Sequence, residues 1–298
     1  MILILAMKQE AGFTMKKRFS IAYKEQSEVM TAERRFAYTA ASGFRETAFS
    51  LSGGTIRPEA LDAARRAGLS VEALRLPMDG VDLLWEPSPS KARAEDALPS
   101  DAPVPDDTTW EMLFEIYTSY FAFAAGVGIK RVILTPSCGK NPAPVTQTAL
   151  ARFRALAERA KEKDVRLLIE NGTSAPHFEA VVRVCCADGF HGVSFAPALA
   201  FLHFGTSAIP PYATECLARL SLDDIKDGET GYFPLDGDTD FRPFARSLAP
   251  LHFRGTLAIS PNAALPMYRD YDYFAFASRA YDRLSSLLRL MKNEEGVV

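Results

Sequence analysis

The feature that most constrains this chain is a strict alternation of short, mostly apolar runs with helix-patterned ones, repeated eight times. Phe19–Tyr23, Glu46–Leu51, Val71–Leu76, Arg131–Thr135, Val165–Glu170, His191–Phe195, Leu217–Leu222 and Gly255–Ile259 have the length and composition of strands. Between and after them, Thr31–Ser42, Pro58–Ala67, Thr108–Ala125, Val145–Lys163, Phe178–Ala187, Ala198–Phe204, Phe241–Leu251 and Tyr273–Met291 carry apolar residues at helical spacing. The punctuation agrees: Thr31 stands at a cap position, Pro58 in a first turn, and Gly43 and Gly68 at helix ends. Strands that each return through a helix predict a parallel sheet covered by helices. Eight units in 298 residues favour one α/β domain, a closed (β/α)8 TIM barrel, over an open doubly wound sheet. A dinucleotide-binding sheet would need glycines after the first strand, and Tyr23-Lys24-Glu25-Gln26 supplies none.

Composition narrows the function classes. Hydrophobic residues at 48% and charged residues at 24% describe an ordinary soluble globule. A formal charge of −3 argues against a nucleic-acid partner, which would call for a basic stripe. No uncharged apolar run approaches the roughly 18 residues needed to cross a bilayer, so no membrane span is expected. The apolar Ile2–Met7 run lacks a preceding basic region and a clear cleavage site, which makes it a poor signal peptide. Residues 1–14 read as an extension ahead of a natural second start at Met15, either an over-long reading frame or a loose segment; the barrel takes 15–298. The four cysteines, Cys138, Cys185, Cys186 and Cys216, form no CxxC pair and read as buried free thiols in a reducing cytoplasm.

A barrel gathers its chemistry at the C-terminal strand ends. Those ends carry Tyr23, Lys24, Ser50, Ser52, Arg75, Thr135, Ser137, Glu170, Asn171, Ser194, Ala196, Ser221, Asp223, Asp224, Ser260 and Asn262. Glu170 is either a general base or a structural carboxylate paired with Arg75. Arg75 either clamps an anionic substrate or makes a salt bridge to Glu170 or Asp224. Neighbours on a strand face opposite sides, so one of Asp223 and Asp224 could enter the mouth; a strand-end turn is the plainer reading. Trp85 either closes the site as a lid residue or packs a long Pro-, Ser- and Asp-rich loop from Pro77 to about Asp106. His177, His191, His203 and His252 read as structural or exposed, with His203 the most open to another role. Pro234–Asp240 lacks calcium-loop spacing and reads as a turn. The aromatic clusters Tyr117–Phe123 and Tyr268–Phe276 read as helix core.

Several stretches, in order, resemble the xylose isomerase-like TIM barrels of the sugar phosphate isomerase/epimerase superfamily. Leu156–Asn171 (LAERAKEKDVRLLIEN) is similar to that family's helix and fifth strand ending in Glu-Asn. Val71–Trp85, Gly128–Ser137, Ala218–Gly228 with Pro234–Phe241, and Gly255–Ser260 resemble its third, fourth, seventh and eighth strands with their loops. The resemblance implies a small sugar or sugar phosphate as substrate, and a homodimer. It also implies a divalent metal held by a strand-five Glu, an Asp near strand six, a His near strand seven and a strand-eight Glu, with proton transfer through an enediolate. Carried over residue by residue, Glu170 matches the first ligand. Ala196, Ser221 and Ser260 stand at the other three, Asp224 matches the acid that follows, and Arg75 stands at a family histidine. These replacements argue against a bound metal, leaving Glu170 as the surviving ligand if one binds at all. The expectation is therefore a sugar isomerase or epimerase with Glu170 and Asp224 as catalytic acids and Arg75, Asn171, Ser221, Ser260 and Trp85 contacting substrate. The alternatives are a barrel that binds a sugar or sugar acid without turnover, and a metal-free lyase.

Overall fold

The structure, a computed structural model, describes residues 18–23, 30–51, 56, 58–78, 80–86 and 109–295. The N-terminal extension, Lys24, Ser52 and most of the loop expected over 77–106 lie outside the described residues. The strands are β1 (Phe19–Tyr23), β2 (Glu46–Ser50), β3 (Ser70–Arg75), β4 (Arg131–Leu134), β5 (Arg166–Glu170), β6 (Gly192–Phe195), β7 (Leu217–Ser221), β8 (Asp224–Lys226), β9 (Glu229–Tyr232) and β10 (Thr256–Ile259). Eight of them close a barrel in the order β1-β10-β7-β6-β5-β4-β3-β2, every pairing parallel. The helices are α1 (Ala32–Ala41), α2 (Pro58–Arg66), α3 (Trp110–Gly126), α4 (Gln147–Glu162), α5 (Ala175–Cys185), α6 (Pro197–Phe204), α7 (Pro211–Thr214), α8 (Arg242–Leu248) and α9 (Tyr273–Glu295). None of the described helices is long and apolar enough to cross a membrane.

Local chemistry sets the helix starts. Thr31, Thr109 and Thr146 cap α1, α3 and α4 by accepting the N–H of Arg34, Met112 and Ala149. Alternation along the strands then sorts the side chains. In β5, Leu167 and Ile169 face outward into the large core shared with the helices, beside Phe153 and Phe178. Leu168 and Glu170 face the barrel axis. Leu168 joins Ala48, Ala73, Ile133 and Ala218 in a small apolar cluster separate from the main core.

Much of the rest of the interior is polar or charged. Arg131 donates to Thr256 Oγ1 at 3.1 Å, and that hydroxyl donates to Glu46 at 3.1 Å. Arg131 also lies 3.8 Å from Glu72. Glu72 in turn accepts from Arg219 Nε at 2.9 Å, and Arg219 lies 3.5 Å from Glu170. Arg75 closes the series by pairing with Glu170. Acids and guanidiniums thus alternate from the foot of the barrel to its mouth. A lone buried ion costs several kcal/mol, on the order of 3–5 when its partner is removed, so each depends on its neighbours.

Two local expectations are corrected. The chain after β7 does not simply turn: β8 and β9 form an antiparallel hairpin beside the barrel. The cysteines are not uniformly buried either. Cys138 and Cys185 are, whereas Cys186 and Cys216 are half-buried.

Candidate active site

The C-terminal strand ends enclose a pocket of about 290 Å³, lined among others by Arg75, Glu170, Ser221, Asp223 and Ser260. Four different staves and their following loops thus deliver these polar groups, as the barrel architecture requires.

Glu170 is the most heavily engaged of them. It is buried, pairs with Arg75, and accepts hydrogen bonds from Ser194 Oγ at 2.8 Å and Ser221 Oγ at 2.7 Å. Arg219 supports this cluster from below, donating to Ser194 at 3.1 Å and to Ser221 at 2.5 Å. Burial alone would push the Glu170 carboxyl up. The charge and hydrogen bond of Arg75, the charge of Arg219 and the Ser221 hydroxyl outweigh it and hold the carboxyl down at about 2. Of the two readings for Arg75, the salt bridge is the observed one.

The adjacent aspartates part company. Asp224, a candidate catalytic acid on sequence grounds, borders the pocket but is already saturated. Its Oδ1 accepts the N–H of Ile225 (2.8 Å) and Thr239 (3.1 Å), and its Oδ2 those of Leu235 (3.0 Å) and Gly237 (2.9 Å). It organises the Pro234–Asp240 turn, and Gly237 is required there because a Cβ would lie 2.7 Å from the Asp224 carboxyl. Asp223 faces Arg75 and Glu170 instead. Burial raises its carboxyl to about 6 against the opposing pull of the Ser260 N–H, which donates to it at 2.5 Å, and of Arg75. Asp223 is therefore the acid in the mouth with proton capacity near neutral pH. The sequence held a clue: PLDGDT, ten residues on, is a loop whose amides need a carboxylate to gather them.

Ser221 and Ser260 line the pocket. Asn171 does not. Its amide clamps the Ala196 backbone, donating to the carbonyl at 3.0 Å and accepting from the N–H at 2.7 Å, which fixes the turn into α6. Trp85 is likewise corrected from a substrate contact to a core residue. It is fully buried, donates Nε1–H to the Pro136 carbonyl at 2.6 Å, and packs on Phe153 and His177. His177 bonds Ser174 and the Ala143 carbonyl. His191 accepts the Leu167 N–H, and burial lowers it to about 4. His203 does border the pocket, from α6, and burial lowers it from its ordinary value.

The donor set does not fit a divalent cation. Of the four positions at which the resemblance places metal ligands, Glu170 alone is an acid, and a guanidinium sits on its outer oxygen where a cation would have to approach. Among the described residues no three His, Cys, Asp or Glu side chains converge in a way that could hold a metal ion.

The backbone has close counterparts among solved structures. An L-ribulose 3-epimerase matches with a TM-score of 0.65 at 16% identity, over 94% of this chain and 97% of that one. A xylose isomerase domain-containing protein from Salmonella typhimurium matches at 0.66 and 13%, over 92% and 97%. The fold is that of the xylose isomerase-like TIM barrels. A D-allulose 3-epimerase from Methylomonas sp., solved in complex with D-allulose, also matches, at 0.65 and 11% over 92% and 97%. No family model and no curated protein matches the chain by sequence.

Proposed function

We propose that the mouth of this barrel binds the open-chain form of a small sugar or sugar phosphate and moves a proton at the carbon beside its carbonyl, without depending on a divalent metal. Asp223 is the acid/base. Arg75 stabilises the enediolate oxygen, Glu170 holds Arg75 in place, and the Ser221 and Ser260 hydroxyls contact the sugar. The observation that carries this reading is the Asp223 carboxyl, raised to about 6 at the pocket wall beside a guanidinium. An acid/base works best with a pKa near the working pH, so that it both takes and returns the proton. A guanidinium held in place at the pocket wall stabilises developing negative charge. The sugars named for the structural counterparts, L-ribulose and D-allulose, support the substrate class.

The test is proton–deuterium exchange by NMR in D2O over a panel of aldoses, ketoses and their phosphates. One panel member exchanges the proton next to its carbonyl, Asp223→Asn abolishes the exchange, and a chelator leaves it unchanged. Exchange that survives Asp223→Asn refutes the assignment of the base, and exchange lost to the chelator refutes metal independence. A second reading, sugar binding without turnover, is favoured by the saturation of Glu170 with two guanidiniums and two hydroxyls. A ligand that raises the melting temperature yet shows no exchange selects it.

A further inference from the structure

Arg219 stands on β7 at the pocket floor, fully buried, and its guanidinium works from two ends. Nε donates to Glu72 at 2.9 Å, which anchors it in the barrel interior. Nη1 donates to two hydroxyls, Ser194 Oγ at 3.1 Å and Ser221 Oγ at 2.5 Å. Both hydroxyls also meet a single carboxylate oxygen, Glu170 Oε1, at 2.8 and 2.7 Å. Strand geometry explains the convergence. Ser221 lies two residues beyond Arg219 on the same face of β7, and Ser194 is the register partner of Arg219 on β6.

These contacts fix where the hydroxyl protons are. A guanidinium only donates, so each serine oxygen receives an N–H from Arg219. A carboxylate only accepts, so each serine gives its single proton to Glu170. Ser194 is fully buried, whereas Ser221 lines the pocket. A hydroxyl oxygen has two lone pairs, and on Ser221 one of them is taken by Arg219. What Ser221 offers a ligand is the other lone pair and no proton.

We propose that Ser221 is a specificity-determining residue, oriented by Glu170 and Arg219 to act only as an acceptor, and that it selects a ligand hydroxyl over any oxygen without a proton. The inference rests on the reading that the mouth takes a sugar, and it holds with or without turnover. It gives the pocket a polarity. Arg75, on β3, presents N–H donors, and Ser221, on β7, presents a lone pair. An α-hydroxycarbonyl matches that arrangement, with its carbonyl oxygen toward Arg75 and its hydroxyl toward Ser221. An ether, carbonyl or phosphate oxygen set against Ser221 would place lone pair against lone pair and leave a buried acceptor without its hydrogen bond.

The experiment is calorimetric titration of the full chain with D-allulose, L-ribulose, D-fructose and their terminal phosphates. The tightest of these is then compared with derivatives in which one hydroxyl at a time is replaced by fluorine, which keeps nearly the oxygen's size and brings no proton. Fluorine at one position is expected to weaken binding about 10- to 100-fold. In Ser221→Ala the penalty at that position falls below about threefold, because the acceptor is gone, and Ser221→Thr restores it. Ser221→Ala keeps Arg219 on Glu72 and Ser194, and Glu170 on Ser194 and Arg75, so the floor stays paired. A fluorinated series that binds as well as the parent at every position overturns the inference, as does a penalty that survives Ser221→Ala. Binding by none of the probes overturns it together with the sugar reading. The expected penalties without proton exchange support it and refute the proton transfer proposed above; exchange without any penalty does the reverse.

Discussion

Replacing Asp223 by Asn should stabilise the protein at neutral pH while removing its proposed chemistry. The folded carboxyl is raised from an ordinary 3.8 to about 6, chiefly because burial disfavours its charge. For an acid raised on folding, the unfolded chain ionises first. The native state therefore binds more protons between those two values, and stability falls as pH climbs through the window, then levels off. A displacement from 3.8 to about 6 corresponds to about 3 kcal/mol. The side chain borders the open pocket, and water screening there leaves about 2 kcal/mol. Asn keeps an oxygen for the Ser260 N–H and carries no charge to bury. Urea unfolding of both proteins from pH 4 to pH 8 measures the difference. The two midpoints should nearly coincide at pH 4, separate through pH 5 and 6, and stand about 2 kcal/mol apart at pH 8 with Asn the more stable. An equal offset at every pH, or an Asn variant weaker at pH 8, would show that the carboxylate is welcome in the mouth and would remove the basis for its role as acid/base.

Glu170 should behave with the opposite sign. Held at about 2 against 4.5 unfolded, it contributes about 3 kcal/mol above pH 4.5 that is lost as pH falls toward 2. Glu170→Gln is thus expected to lose about that much at pH 7 and little near pH 2, read from the same urea series. Asp224→Ala strands four backbone N–H donors, a cost of at least about 3 kcal/mol. Hydrogen exchange should locate the loosening in residues 234–240 and not in β5. Trp85→Phe removes the donor to the Pro136 carbonyl and should cost about 1–2 kcal/mol in thermal unfolding, while leaving the shift induced by any pocket ligand unchanged.

The barrel was legible because periodicity is a property of many residues at once. Each strand and helix boundary lies within a few residues of its expected place; α5, for instance, begins at Ala175 rather than Phe178 because Pro176 fits a first turn. The short elements α7, β8 and β9 were not legible, since three or four residues carry no period. At the site, position along the chain was legible and direction was not. Arg75 and Glu170 sit at strand ends that the alternation placed together, and they pair. Asp223 and Asp224 differ by one residue, and only the loop that folds back onto Asp224 decides which faces the mouth. Asn171 and Trp85 were misread because each has a polar handle that suits a ligand equally well as a backbone carbonyl, and the strand pattern does not say which is nearer. The charged interior was hidden for a related reason. Glu46 and Arg131 stand at strand starts and Glu72 and Arg219 within strands, and only the register of neighbouring strands brings them together.

The guanidinium on Glu170 also makes the mouth hard to convert into a cation site. Placing an aspartate at Ala196 or a histidine at Ser221 would add one ligand while leaving the occupied oxygen occupied. Deleting Arg75 first would leave Glu170 facing Arg219 without its outer partner, a less stable chain with still too few donors to recruit an ion. The pair therefore locks the mouth: single substitutions leave the arginine in place, and cation chemistry there would need several changes at once.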